Sequence, residues 1–245
     1  MGTLIKPAGI GATGARLRIR PAVAAGFLGW WWLGASLGQS RTNLADIGLT
    51  PAGVTGAPVV AADSLGMKSL ANQLVAPIVE PATCTIIFAA KSADTLASGA
   101  NRPTFIGWFD NSAPNNGVTV YIGGTTLMRG NAAYLVSGVA TNILTSPSVP
   151  AGFAAWKLFA FVVQDGVGQT LYDLTAGTSL ATANVNPRVP ATGRDLIIGG
   201  AINGNGGMSD MAMAAVYNVA LTASQLAALR TQSIAPFLAT RGVTV

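Results

Sequence analysis

Apolar residues along this chain gather in short runs, broken by clusters of Gly, Pro, Asn, Asp and Ser. Brief runs rich in Val, Ile, Phe and Tyr and bounded by turn formers read as β-strands. Val59-Val60-Ala61-Ala62 predicts a short strand and Thr83 to Ala90 a clearer one. Thr104 to Phe109 and Val118 to Ile122 predict a pair joined across Asp110 to Gly117, a stretch of polar and turn-forming residues. Ala132 to Ser137 and Leu171 to Leu174 are short candidates, and Trp156 to Gln164 is the longest apolar strand. From Ser40 to Pro58 the chain is turn-rich.

The richest stretch runs from Leu196 to Leu229. Leu196-Ile197-Ile198 is a brief apolar run closed by Gly199-Gly200, and Ala201 to Gly207 is an aperiodic loop. Met211 to Tyr217 has apolar residues at both parities, so the strand is expected to be covered on both faces, inside a layered structure. Thr222 with Gln225 three residues later is a capping box that starts a short helix. Leu221 and Leu226 stand at the staple positions that fix how the chain enters it.

Residues 21–40 contain no charge and follow a basic run. A secretory signal and a marginal membrane span are two readings of such a segment. Gly26, Gly29, Gly34 and Gly38 weaken any helix, however, and Trp30-Trp31-Trp32 flanked by Phe27, Leu28 and Leu33 suits a strand. A strand, with no membrane span, is the leading expectation. Short strands, turn clusters and one brief helix together predict an all-β antiparallel sandwich. The expected organisation is an N-terminal arm and leading strand over residues 1–37, one sandwich over 38–235 and a C-terminal extension over 236–245. At 245 residues a single β domain has room for a full core.

Composition sharpens this picture. Only 9% of the residues are charged, against about 25% in an ordinary soluble domain. So little charge implies a surface largely covered by something else. Five of the 14 basic residues (Lys6, Arg16, Arg18, Arg20, Arg41) precede the first acid, Asp46, and the other nine balance the nine acids. The body is neutral and the leader basic. Nucleic-acid binding needs a dense cationic face with aromatics for stacking. Here Leu17 and Ile19 alternate with arginines in a strand-like way, which predicts a structural arm and no nucleic-acid partner. The single Cys84 rules out an internal disulfide, and its apolar run predicts a buried thiol.

Two segments carry a family resemblance. Asp210-Met211, then Val216-Tyr217-Asn218-Val219-Ala220-Leu221-Thr222-Ala223-Ser224-Gln225-Leu226, resembles the closing signature of laminin-G-like, concanavalin-A-like jelly-roll domains. Trp156 to Val163 with Asp165-Gly166 and Leu171-Tyr172 is similar to the central hairpin of that family. The likeness spans roughly residues 38 to 235. Ala212-Met213 stands where the family has an acidic pair, and Leu174-Thr175 where a second Asp-Gly is expected. The resemblance implies a jelly-roll sandwich with one short helix, of the kind found in tail, baseplate or decoration proteins of bacteriophage virions.

For chemistry the absences weigh most. The chain has no His, which removes the usual general base and the commonest zinc ligand. Glu80, the only glutamate, lies between Pro77 and Pro81 in an expected turn, and the Asp residues are scattered singly. Hydrolases on such scaffolds generally need paired carboxylates, and no G-x-S-x-G elbow occurs. Gly9 to Gly14 matches a dinucleotide fingerprint in letters, but it follows no strand and opens no periodic helix. No catalysis and no cofactor are expected. Calcium candidates are Asp110, Asn111, Asn115 and Asn116, with Asp210 next, all of them ordinary turn or loop residues as well. Glycan candidates are Trp108 and Tyr121, which flank the first loop, with Asn203 and Asn205; inward packing of both aromatics is the competing reading. Three classes remain open: a virion structural protein, a free lectin and a sandwich hydrolase. Low charge favours the first, with a virion or extracellular location. Leu4, Ile5, Arg16, Leu17, Arg18, Ile19 and Arg20 would dock on a neighbouring virion subunit by strand addition. The sandwich would meet copies of itself, a trimer being the expected symmetry, or host-surface polysaccharide.

Overall fold

A computed structural model describes residues 19–45, 50–110, 116–201 and 204–245. The arm residues Leu4, Ile5, Arg16, Leu17 and Arg18 and the glycine motif at 9–14 lie outside the described residues, as do Asn111, Asn115 and Asn203. In chain order the strands are β1 (Phe27–Trp32), β2 (Gly53–Thr55), β3 (Val59–Val60), β4 (Leu65–Lys68), β5 (Gln73–Val79), β6 (Cys84–Lys91), β7 (Thr104–Gly107) and β8 (Val118–Gly124). There follow β9 (Leu127–Val136), β10 (Val139–Thr145), β11 (Lys157–Gln164), β12 (Gly168–Asp173), β13 (Thr178–Ala183), β14 (Asp195–Ile198) and β15 (Met208–Tyr217). The helices are α1 (Leu37–Arg41), α2 (Ala223–Leu229) and α3 (Ala235–Ala239), with a π-helical turn, Arg230–Ile234, joining the last two.

The strands form two antiparallel sheets. One runs β13-β12-β11-β6-β15-β4-β3, with β1 also paired to β15; the other runs β10-β9-β8-β7-β14-β5-β2. The fold is therefore the expected antiparallel β-sandwich. Its core lies between the sheets, where Phe88 stacks on Phe105 at 5.0 Å between ring centroids and meets Phe159 at 5.6 Å. Gly130 is required on β9 because a Cβ there would stand 2.4 Å from the Phe161 ring.

A second core covers the other face of the eight-stranded sheet. Ile87, Ala89, Leu158, Ala160, Met213, Ala215 and Tyr217 face Leu226, Leu229, Ile234, Leu238 and Val243 of the C-terminal helical layer. This third layer explains the apolar parity of the central strands. On β6, Cys84, Ile86, Phe88 and Ala90 point to the inner core, and Ile87 and Ala89 to the outer one. Each large side chain removed from water in this way is worth roughly 1.5–3 kcal/mol. The helix begins as the capping box requires. Thr222 Oγ1 accepts from the Gln225 backbone N–H, and Gln225 Oε1 accepts from the Thr222 N–H at 2.9 Å. Leu221 and Leu226 are both buried at the staple.

Two expected boundaries do not survive. Residues 236–245, expected as an extension, belong to the outer core: Phe237 stacks on Trp32 at 3.9 Å, and Leu238 and Val243 are buried. The leading strand is likewise no appendage. Strand β1 pairs with β15 from Phe27↔Tyr217 to Trp32↔Met213, sending Trp31 into the inner core and Trp30 and Trp32 into the outer one. Ile19, expected to dock on a partner, donates its N–H to Leu44 O at 3.2 Å and packs on the chain's own outer core. Arg20 is exposed.

Glu80 is also placed differently from the turn expected for it. Its side chain is fully buried and paired to Arg188 at 2.5 Å, and it accepts from the Ala191 N–H at 2.9 Å. Burial pushes the carboxyl up to about 7, against the opposing pull of Arg188. The pair exists because residues 186–191 return along β9, where Arg188 Nη1 donates to Ala133 O and lies over the Tyr134 ring. Nearby Cys84 is buried as expected, and burial pushes its thiol up to about 12.

Candidate functional site

Strands β8, β9 and β10 carry the polar face of the seven-stranded sheet. Register sets Tyr121 opposite Arg129, Thr119 opposite Asn131, Leu144 opposite Asn131 and Asn142 opposite Ala133. Because side chains alternate along a strand, these residues share the face turned away from the core. Val118, Val120, Met128, Ala132 and Tyr134 occupy the core side. On this polar face lies a cleft of about 380 Å³, lined by Arg102, Tyr121, Arg129, Asn131, Asn142 and Asn205, with Phe109, Ile122, Gly123 and Leu144 as its apolar part.

Glycines assemble the cleft wall. A Cβ on Gly123 would stand 2.4 Å from Arg129 Cδ and Nε, so the Arg129 stem crosses the sheet at that glycine. The glycine-rich loop packs flat on the preceding turn: Gly206 N–H donates to Gly99 O at 3.0 Å and Gly207 N–H to Arg102 O at 3.2 Å. A Cβ on Gly207 would stand 2.5 Å from the Arg102 carbonyl carbon. That close approach brings Asn205 to the cleft beside Arg102. The Arg102 guanidinium is itself held, Nε donating to Leu96 O at 2.9 Å and Nη2 to Ala97 O at 3.3 Å.

The cleft holds polar atoms with unused capacity. Asn131 Oδ1, Asn142 Oδ1 and Arg129 Nε are shielded from water and have no protein partner. Leaving such a group unmet costs about 1–3 kcal/mol, and a ligand in the cleft would meet the other polar atoms of these side chains. Among the described residues no carboxylate lines the cleft. Two amides and a guanidinium beside a tyrosine ring are donors and acceptors suited to hydroxyls, amides or an anion.

Of the expected site residues, the structure brings Tyr121 and Asn205 together in this cleft. Trp108 is not a platform: it is buried, and its indole N–H donates to Ile78 O at 2.6 Å. Of the calcium candidates among the described residues, Asp110 and Asn116 stand side by side and Asp210 lies apart from them. Asp110, buried and bridged to Asn116 through backbone hydrogen bonds, pairs its carboxylate with Arg194. Asp210 lies on the other sheet, 3.7 Å from Lys91. Each carboxylate already faces a cation, and among the described residues no three His, Cys, Asp or Glu side chains gather as a metal site. Arg102, Arg129, Asn131 and Asn142 were not foreseen. Their signal is parity: Arg129 and Asn131 alternate with Met128, Gly130 and Ala132 once β9 is read as starting at Leu127.

No family model matches the chain, and no curated protein does. Solved structures share its fold. A Trypanosoma rangeli sialidase in complex with sialic acid superposes with a TM-score of 0.57 at 14% identity, covering 95% of this chain and 36% of that one. The receptor-binding domain of botulinum neurotoxin D gives a TM-score of 0.56 at 11% identity, covering 83% and 52%. The ligand-binding domain of botulinum neurotoxin serotype D in complex with N-acetylneuraminic acid gives 0.58 at 11% identity, covering 84% and 50%. The chain thus spans between a third and about half of these structures, and at such identities the likeness is one of fold.

Proposed function

We propose that this chain is a non-catalytic carbohydrate-binding sandwich whose site is the cleft on β8, β9 and β10. The observation that carries it is the set of amide and guanidinium side chains, Arg129, Asn131 and Asn142, that line one cleft with Tyr121. Carbohydrate sites combine hydroxyl-matching amides with an aromatic body, and here both occur on one rigid sheet face. The sialic acid and N-acetylneuraminic acid complexes among the structures of like fold support the reading. The absence of His and the single, ion-paired Glu80 support the view that binding is not followed by hydrolysis. Glycan-array binding followed by calorimetry is the test. Tyr121→Ala and Asn142→Ala should each weaken binding about tenfold, and no panel polysaccharide should release reducing ends. Binding left intact in both variants would remove the cleft from the proposal.

A second reading sets the module in a large assembly such as a bacteriophage virion, outside the cell, and edge strand β13 favours it. Thr178–Ala183 is an exposed edge with no charge, proline or register shift, so it lacks the devices that keep edges apart. Its occupant would be a second copy of the chain, paired strand to strand. Sedimentation should then give a multimer, and Leu180→Lys, at an exposed position, a monomer. A monomeric unsubstituted chain would discard this reading and leave the free lectin.

A further inference from the structure

We infer that the cleft takes acidic rather than neutral carbohydrate, with Arg129 as the residue that receives the anionic group. This rests on the carbohydrate reading of the same cleft and adds to it the ligand's charge. Two guanidiniums, Arg102 and Arg129, line the cleft, and among the described residues no Asp or Glu lines it with them. Their positions differ in a telling way. Arg102 is spent on Leu96 O and Ala97 O and stands as a fixed positive wall. Arg129 forms no ion pair among the described residues; its Nε is sealed from solvent, so the Nη groups are the ones a ligand meets. The arginines that face a carboxylate, Arg188 with Glu80 and Arg194 with Asp110, are already matched. The two Nη groups of an arginine present a planar fork of parallel N–H donors that fits the two oxygens of a carboxylate or sulfate. Gly123 keeps the Arg129 stem flat on the sheet, so little freedom is lost when that fork engages. Asn131 and Asn142 would then take hydroxyls of the same residue.

The test compares ligands matched except at the anionic group. The chain is titrated with 3′-sialyllactose against its methyl ester, with oligogalacturonate against its methyl ester, and with dextran sulfate against dextran. The acidic member of a pair should bind at least about tenfold more tightly, the preference falling as salt is raised. The first two pairs report a carboxylate, the third a sulfate. Arg129→Gln should erase the preference, and Arg129→Lys should restore only part of it, because an ammonium offers no fork. The ligand pairs test the unsubstituted protein, so a variant that misfolds leaves the result standing. Equal binding of acidic and neutral members overturns this inference and leaves the carbohydrate reading intact. Absence of binding to every member overturns both.

Discussion

Among single residues, Thr222 and Glu80 make the sharpest predictions. Thr222 closes the capping box at the start of α2, so Thr222→Ala should cost about 1 kcal/mol, measured as a lower urea midpoint with an unchanged slope. Glu80 sets a pH dependence. Its carboxyl is raised from 4.5 to about 7, burial outweighing Arg188 and the Ala191 N–H. Between those values the unfolded chain has released a proton that the folded chain keeps, so this group's contribution is greatest below about 4.5 and is lost as pH rises through about 7. Urea midpoints should therefore fall across that window in the unsubstituted chain, and the slope should flatten in Glu80→Gln. A midpoint rising with pH, and losing that rise in Glu80→Gln, would show instead that Arg188 dominates and holds the carboxyl ionised.

The element that most changes the molecule is the helical layer from α2 to α3. Without it, Trp32, Met213 and Tyr217 would face water on a sheet whose strands are apolar on both sides. A chain ending at Ser233 loses the Phe237 stack on Trp32 and the buried Leu238 and Val243. It should bind a hydrophobic dye and aggregate, whereas a polar tail would be dispensable. Trp32→Ala, which removes one side of that stack, should cost about 3–5 kcal/mol in urea unfolding.

For the whole molecule, the three-layer build leaves different surfaces for different tasks. The outer face of the eight-stranded sheet is covered by helices, and β13 has one strand partner, β12, within its sheet. Beside β13 runs β10, joined to it by the hydrogen bond from Thr145 Oγ1 to Thr182 Oγ1 at 2.7 Å. The polar cleft lies on the face of the seven-stranded sheet instead. Association through β13 and binding in the cleft should therefore separate: Leu180→Lys should alter mass without altering glycan affinity, and Arg129→Gln the reverse. Sedimentation and calorimetry on the two variants check this directly.

Local pattern by itself determined most of the strands (though not β2, β4, β5, β10 and β13), the sandwich and the start of α2. Those features depend on neighbours within a few residues: turn formers between apolar runs, and Thr222 with Gln225 one helical turn apart. The double parity of Met211 to Tyr217 even announced a covered second face, though not what would cover it. Tertiary structure alone decided the rest. Glu80 lies 108 residues from Arg188, and no local rule turns a glutamate between two prolines into half of a buried ion pair. Trp108 next to a polar loop has the same sequence signature whether it faces a ligand or Ile78 O. The cleft joins Arg102, Arg129, Asn142 and Asn205 from separate segments, and only strand register, set by long-range packing, decides which of them share a face.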